Sequence, residues 1–128
     1  MRERALKVVL VLVGLLFMAG VYPVAMDLWH GDASDAGDTM MMSLYLTLGI
    51  FLLLAVRNPS AHRSLIAFAA WSSFAHAVVM SGLAFQHQFA SERAGFLGGS
   101  GVLVVIGVLL VALAPAKSPR EPVSAPAA

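Results

Sequence analysis

The sequence predicts an all-α membrane protein in which four transmembrane helices form one antiparallel bundle. Hydrophobic residues make up 59% of the 128 residues and charged residues only 12%, a balance more apolar than a soluble domain of this length can bury. The chain also contains four apolar stretches of about 20 residues, the length that a helix needs to cross a hydrocarbon core about 30 Å thick. Both observations place the chain in a bilayer.

The first predicted helix follows a basic start and contains a long uncharged run. Val8–Met26 has no charged residue. A secretory signal peptide ending near Ala19 and Gly20 is the alternative, but its apolar core is usually about 7 to 15 residues long. We therefore interpret the run as a membrane span, and we expect Pro23 to kink its last turns.

Three further apolar stretches follow, separated by polar or turn-forming residues. The four predicted helices cover residues 6–28, 39–56, 60–85 and 95–113. Together they form a single domain, residues 1–114. The Pro-, Ala- and Ser-rich residues 115–128 cannot form a core, and we expect a disordered cytoplasmic tail there.

A short basic turn joins the second and third predicted helices into a hairpin. Asn58 and Pro59 mark the turn, because asparagine caps helices and proline fits the first helical position. Arg57 and Arg63 flank it, where long side chains reach lipid headgroups while their stems stay in the apolar layer. We interpret both arginines as topology anchors, and the binding of an anionic ligand is the alternative.

His76 is the one ionisable residue well inside a predicted span. Ser72 and Ser73 precede it at helical spacing, so the three side chains lie on one side of the helix. Polar groups in hydrocarbon turn toward other helices to find partners, and counting helical rise from Pro59 brings residues of the other helices to the same depth. The resulting small polar cluster in the outer leaflet, which we call the His76 cluster, is a candidate binding pocket that consists of Tyr22, Tyr45, Ser72, Ser73, His76 and Ser100.

The His76 cluster allows a structural and a functional interpretation. In the first, a neutral histidine is hydrogen-bonded between helices; in the second, it serves a quinone-like head group, a proton relay or a haem. A haem is disfavoured because His87 follows His76 by about three turns on one helix, where the two cannot bind one iron. No zinc-ligand spacing surrounds His76 and there is no cysteine. We predict no metal site and no resident cofactor.

The fourth predicted helix begins with many glycines. Gly95 and Gly99 form a small-xxx-small pair of the kind that lets two membrane helices approach closely. We expect this pair to serve packing within one chain, and a homodimer seam is the alternative. The same glycines are not a phosphate-binding loop, since no Lys-Ser/Thr ending follows them.

The distribution of basic residues predicts the orientation. Of the eight lysines and arginines, all except Arg93 fall on one side of the predicted spans, and basic residues favour the cytoplasmic side. We expect a multi-pass protein of the cell inner membrane with both termini in the cytoplasm. There is no basic stripe for nucleic acid. The expected partners are membrane lipids, and in addition a partner membrane protein or a second copy of the chain.

The central part of the chain resembles a family of membrane proteins. YLTLGIFLLLAVRNPSAHRSLIAFAAWSSFAHAVVM, residues 45–80, resembles the core of an uncharacterised family of small bacterial four-helix membrane proteins. VVLVLVGLLFMAGVYPVAMDLWHG, residues 8–31, is similar to the first helix of that family. By length and topology the chain more distantly resembles the DoxX-like group, some of whose members are quinone-linked accessory subunits. The resemblance implies a fold and no assigned activity.

Two functions from different classes follow. The first is a non-enzymatic membrane module or accessory subunit, in which the His76 cluster ties helices together. The second is a redox-accessory protein that holds a quinone-like or other lipophilic small molecule beside His76. We favour the first and expect no enzymatic activity.

Overall fold

Five α-helices form the described part of the chain. The structure, a computed structural model, describes residues 1–31 and 36–116; most of the predicted tail therefore lies outside the described residues. A short 3-10 turn, His87–Phe89, precedes the last helix. The helices are α1 (Arg2–Met18), α2 (Val21–His30), α3 (Ala36–Ala55), α4 (Arg63–Ala84) and α5 (Arg93–Leu113).

Four stretches of helix are long and apolar enough to cross a membrane. α1 and α2 together form one stretch of 29 residues, while α3, α4 and α5 have 20, 22 and 21 residues. Each exceeds or closely matches the length that a hydrocarbon core requires. The chain is thus a multi-pass membrane protein, and the described residues confirm the prediction of an all-helical fold with four membrane-compatible helices.

The first span is broken between α1 and α2, one turn before Pro23. Proline has no N–H to donate to the carbonyl four residues earlier, and its ring crowds that carbonyl. The Ala19 carbonyl accepts instead from the Tyr22 N–H at 3.3 Å, and the Gly20 N–H donates to the Phe17 carbonyl at 3.2 Å. The kink expected from Pro23 therefore falls at Ala19 and Gly20.

The turn between α3 and α4 is longer than the sequence indicated. The Asn58 side-chain oxygen accepts from the Ala61 N–H at 3.4 Å, and the His62 N–H donates to the Pro59 carbonyl at 3.2 Å. Asn58 therefore closes a separate turn instead of capping the long helix. α4 begins only at Arg63, where the prediction began at residue 60.

The helices pack chiefly as two pairs, α1 with α3 and α4 with α5. We call these the α1/α3 pair and the α4/α5 pair. In the α1/α3 pair the two backbones meet at glycines: a methyl group added to Gly49 would lie 2.9 Å from the Gly14 carbonyl oxygen. Small residues allow such an approach in lipid, where helix association depends on close van der Waals contact.

One buried apolar cluster joins both pairs. Its members come from most of the length of α1, the end of α3, the start of α4 and the end of α5, so it lies toward the end of the bundle where the chain begins. These side chains are almost completely buried, so neither lipid nor water reaches most of their surface. The buried members are Leu6, Leu10, Val13, Phe17, Leu52, Ala55, Ile66, Ala69, Ala70, Ile106 and Leu110.

The start of α1 is fastened to the end of α5 by one arginine. An Arg2 Nη2 donates to the Ala112 and Ala114 carbonyl oxygens, both at 3.0 Å. The last carbonyls of a helix have no partner within the helix and carry partial negative charge, so a guanidinium is well suited to them. Arg2 thus fixes both ends of the described chain at one end of the bundle.

Candidate functional site

His76 lies on α4 and belongs to a row of aromatic rings. Its ring is 5.4 Å from that of Tyr45 on α3, and the Tyr45 ring is 4.9 Å from that of Phe17 on α1, both edge to face. Edge-to-face pairs contribute about 0.5–1.5 kcal/mol beyond their buried area. His76 therefore connects the α4/α5 pair to the α1/α3 pair through ring contact.

Ser72 and Ser73 direct their hydroxyls into their own helix. Both donate to the Ala69 carbonyl oxygen, at 3.2 Å for Ser72 and 2.7 Å for Ser73. Such back-bonding is a common way for serine to satisfy its hydrogen inside an apolar helix. The two serines share a helix with His76 as predicted, but their donated hydrogens are used within α4.

Ser100 is buried on α5 and bonds across to α4. Its hydroxyl donates to the Ala77 carbonyl oxygen at 2.9 Å and lies 2.7 Å from the Ser81 hydroxyl. A hydroxyl has a single hydrogen to donate, so Ser81 is the donor to Ser100. The result is a relay from Ser81 through Ser100 to the α4 backbone, which holds α4 and α5 together.

Tyr22 does not share in this arrangement. Its side chain lies on α2 and is 71% exposed. The prediction put it at the depth of His76 by counting residues along an unbroken helix, but depth does not determine which way a side chain faces. The six predicted residues therefore separate into an aromatic contact (Tyr45, His76), two helix-internal serines, an interhelical serine and an exposed tyrosine.

Ser81 is a partner that the sequence analysis left out of the cluster. In the predicted helices, residues 60–85 and 95–113, Ser81 lies four positions before the end of one helix and Ser100 five positions after the start of the next. In a helical hairpin the two therefore come nearly level with each other. Comparing how far the polar residues of the two helices lie from the connection would therefore have identified the pair.

A groove of about 420 Å³ lies elsewhere in the molecule, between α1 and α5. None of the six predicted cluster residues lines it. Its walls are wholly apolar or glycine: Val9, Leu12, Val13, Leu16, Gly101, Val102, Val105, Ile106 and Leu109. A lipophile bound beside His76 would therefore not occupy this groove.

The two predicted topology anchors differ in their surroundings. Arg57 is exposed, whereas Arg63 is partly buried at the start of α4. Among the described residues, the Arg63 Nη1 is a buried atom with no hydrogen-bond partner. Arg93, the basic residue at the other end of the bundle, donates from Nε to the Ala84 carbonyl at 2.9 Å and so closes the end of α4.

An acidic residue near the same end of the bundle as Arg93 links α2 to α3. The Thr39 hydroxyl donates to the Asp27 carboxylate at 2.8 Å, in a partly buried position. Thr39 thus bonds across two helices instead of capping its own. Within residues 1–31 and 36–116, no group of three or more His, Cys, Asp or Glu side chains is placed to hold a metal ion.

Comparison with known proteins gives a family and no activity. A sequence-family model described as a family of unknown function, DUF6632, matches residues 2–125. No curated protein and no solved structure shows significant similarity to the chain. The match covers all five helices, in agreement with the predicted resemblance to a family without an assigned function.

Proposed function

This chain belongs to the family of unknown function DUF6632, and we propose that it is a non-enzymatic membrane module that serves as an accessory subunit of a larger membrane assembly. Its partners are then lipids and either another membrane protein or a second copy. The proposal assigns a packing role to the polar residues inside the spans. It needs no reaction and no bound cofactor.

The bond between Ser100 and Ala77 is the observation that carries this proposal. A polar group inside hydrocarbon is costly unless it has a partner, and the buried Ser100 hydroxyl finds that partner in the neighbouring helix. Ser73, the other buried polar side chain in the described part of the chain, donates its hydrogen to the Ala69 carbonyl oxygen. The Ser100 hydroxyl holds two helices together, and the hydrogens that both serines donate are used within the protein.

His76 fits the same role through its ring. The edge-to-face contact with Tyr45 uses the imidazole as an aromatic surface, for which its nitrogens are not needed. A lipophile-binding role requires a nitrogen that reaches a polar head group. The two roles can therefore be separated by a residue that keeps the ring and loses the nitrogens.

The test compares His76→Ala with His76→Phe in purified protein. We expect His76→Ala to lower the free energy of unfolding by about 0.5–1.5 kcal/mol, and His76→Phe to restore most of the loss because phenylalanine keeps the contact with Tyr45. Denaturation followed by circular dichroism gives the stabilities. Mass spectrometry of organic extracts should find the same lipophilic small molecules in all three proteins.

A different result would favour the quinone-like alternative. If the wild type carries a lipophile or a visible absorbance band that both variants lose while remaining folded, His76 binds a head group and the packing proposal is wrong. That outcome would also give weight to the DoxX-like resemblance, which rests on length and topology and stays a prediction.

We further propose an antiparallel bundle in the cell inner membrane with both termini in the cytoplasm. The bonds from Arg2 to the end of α5 support it, as does the position of Arg93 at the opposite end. The sequence has no cysteine, so single cysteines can be introduced without background. A membrane-impermeant maleimide should label Ser91→Cys in intact cells, and Ser60→Cys only after permeabilisation.

A further inference from the structure

α2, the second half of the first span, is the helix least embedded in the protein. None of its side chains is buried, and among the other helices it packs chiefly on α3. Its Leu28 and Trp29 side chains are 74% and 88% exposed. In a bilayer, an apolar face gains little by exchanging acyl chains for a neighbouring helix. Apolar contact alone therefore attaches α2 to α3 only weakly.

The backbone has a pivot where α1 meets α2. The Gly20 N–H donates to the Phe17 carbonyl at 3.2 Å and the Tyr22 N–H to the Ala19 carbonyl at 3.3 Å, both over three residues. Such 3-10 bonds have poorer geometry than α-helical bonds, and a short 3-10 stretch within a long helix often marks a hinge. Pro23 in addition supplies no N–H. The junction is thus held by weaker bonds than the helices on either side of it.

The other end of α2 also stops at a glycine. Gly31 ends the helix with φ 67°, a left-handed conformation that glycine adopts without steric cost. A side chain added at Gly31 would meet nothing within 4 Å, so nothing in the described part of the chain packs against this point. α2 is therefore a short helix between two points at which the backbone can change direction.

One polar bond ties α2 to α3. The Thr39 hydroxyl donates to the Asp27 carboxylate at 2.8 Å in a partly buried position, and among residues 1–31 and 36–116 it is the one side-chain hydrogen bond from α2 to another helix. A hydrogen bond to a carboxylate is roughly twice as strong as one between neutral groups. Because apolar contact in lipid attaches α2 only weakly, this bond decides whether α2 stays against α3.

We propose that α2 is a hinged segment, which pivots at Ala19 and Gly20 and is held against α3 by the bond between Thr39 and Asp27. Loss of the bond lets α2 swing away from α3 in the plane of the bilayer. The inference uses none of the residues on which the packing proposal rests. Either can therefore fail without the other.

The movement would uncover the first half of α3. The buried residues of that helix, Gly49, Leu52 and Ala55, all lie in its second half, so no other helix covers the first half closely. The pivot adjoins Phe17, whose ring contacts Tyr45 on α3. The opened face of α3 would thus lie beside the row of rings that ends at His76.

Double electron–electron resonance on the purified full-length protein in lipid nanodiscs tests the hinge. The sequence has no cysteine, so one spin label can replace Leu28 on α2 and another Val78 on α4, both of which are exposed. The wild type should give one narrow distance distribution. Thr39→Val keeps the shape of the side chain and loses the hydroxyl, and it should add a second distance.

The expected size follows from the strength of interhelical bonds. Such bonds contribute about 0.6 to 1.7 kcal/mol in membrane proteins, so Thr39→Val should raise the ratio of open to closed α2 by about three- to eighteenfold. Asp27→Ala removes the acceptor and should have the same effect, which provides a second variant if Thr39→Val fails to fold. Circular dichroism shows whether each variant is folded.

Two matched variants separate the bond from the side chain. Thr39→Ser keeps the hydroxyl and should give the wild-type distribution. Thr47→Val removes a hydroxyl from the same helix, one that bonds to the Ser43 carbonyl at 3.0 Å within α3, and should also give the wild-type distribution. If either variant opens α2 as far as Thr39→Val does, the bond to Asp27 is not what holds it and the proposal is wrong.

A third label position locates the pivot. Leu16 is exposed on α1, before the pivot, so its distance from Val78 should be the same in Thr39→Val as in the wild type. A change as large as that seen from Leu28 would mean that the whole first span moves and that no hinge lies at Gly20. A broad distribution from Leu28 in the wild type, or an unchanged one in Thr39→Val, would equally overturn the proposal.

Discussion

The two helix pairs hold together by different means. In the α1/α3 pair the backbones touch at Gly49, where an added methyl group would lie 2.9 Å from the Gly14 carbonyl oxygen, while Gly14 itself also packs against the Leu53 side chain. In the α4/α5 pair the helices also approach at a glycine, Gly107, but there an aromatic ring fills the space. The α4/α5 pair adds the hydroxyl relay through Ser100.

This difference shows which kind of change each pair can tolerate. Two apolar helices in lipid gain nothing from excluding water, so their association depends on fit and on buried polar bonds. The α1/α3 pair depends on fit between backbones, which cannot move independently of their helices. The α4/α5 pair depends on fit between a glycine and a side chain, which can rotate, and on bonds that can be removed singly.

The largest effect is expected from Gly49→Leu in the α1/α3 pair. Its first added carbon would lie 2.9 Å from the Gly14 carbonyl oxygen and 3.0 Å from the Phe17 Cβ, so the helices must separate. Overpacking against side chains already costs about 1–3 kcal/mol, and we expect a loss above that range. Denaturant unfolding followed by circular dichroism measures it.

Gly98→Leu is the control for that prediction, because it adds the same side chain at a glycine with open space around it. Equal stabilities of the two variants would show that the α1 and α3 backbones do not meet at Gly49. The comparison between the pairs would then lose its basis.

Gly107→Ala should have the next largest effect. The added methyl group would lie 2.7 Å from two ring atoms of Phe74, and Phe74 also packs edge to face on Trp71. We expect a loss of about 1–2 kcal/mol, within the range for overpacking. The double variant Gly107→Ala, Phe74→Leu should recover part of it, since leucine vacates the space. No recovery would mean that the backbone, and not the ring, resists the methyl group.

The sequence predicted the spans well because a bilayer imposes a length and an absence of charge on each one. It predicted the Pro23 kink because the missing N–H is a local property. It did not predict which residues face each other. In lipid the outer face of a helix is as apolar as the buried face, so the pattern does not distinguish them.

The His76 cluster shows the consequence. Helical spacing correctly put Ser72 and Ser73 near His76 along one helix, but a serine hydroxyl can bond to its own backbone, and both do so with Ala69. Tyr22 was assigned by depth alone, and it is exposed. Contacts between helices require the direction of each side chain, which four nearly uniform apolar stretches do not reveal.

Ser100→Ala should have a moderate effect on the α4/α5 pair. It removes the bond to Ala77 and leaves Ser81 without its acceptor. Interhelical hydrogen bonds in membrane proteins contribute about 0.6 kcal/mol on average and at most about 1.7, and we expect a loss between those values. Ser72→Ala is the control, because its bond lies within one helix.

A double-mutant cycle tests whether the relay is one unit. If Ser81 donates to Ser100, the loss in Ser81→Ala, Ser100→Ala should be smaller than the sum of the two single losses, because the second change removes a group already without its partner. Additive losses would show that the two hydroxyls act independently.

The smallest effect is expected from Gly99→Ala, although its geometry is as tight as that at Gly49. The added methyl group would lie 2.8 Å from the Met80 Cε, which is the far end of a flexible side chain that can rotate away. Alanine also favours a helix by about 1 kcal/mol over glycine. We expect a net change within about 0.5 kcal/mol of zero, since the two contributions oppose each other. Gly95→Ala, which meets nothing, isolates the propensity gain, so the difference between the two variants measures what Met80 loses by moving. A loss at Gly99 as large as that at Gly49 would show that side-chain freedom does not set the tolerance of a helix pair.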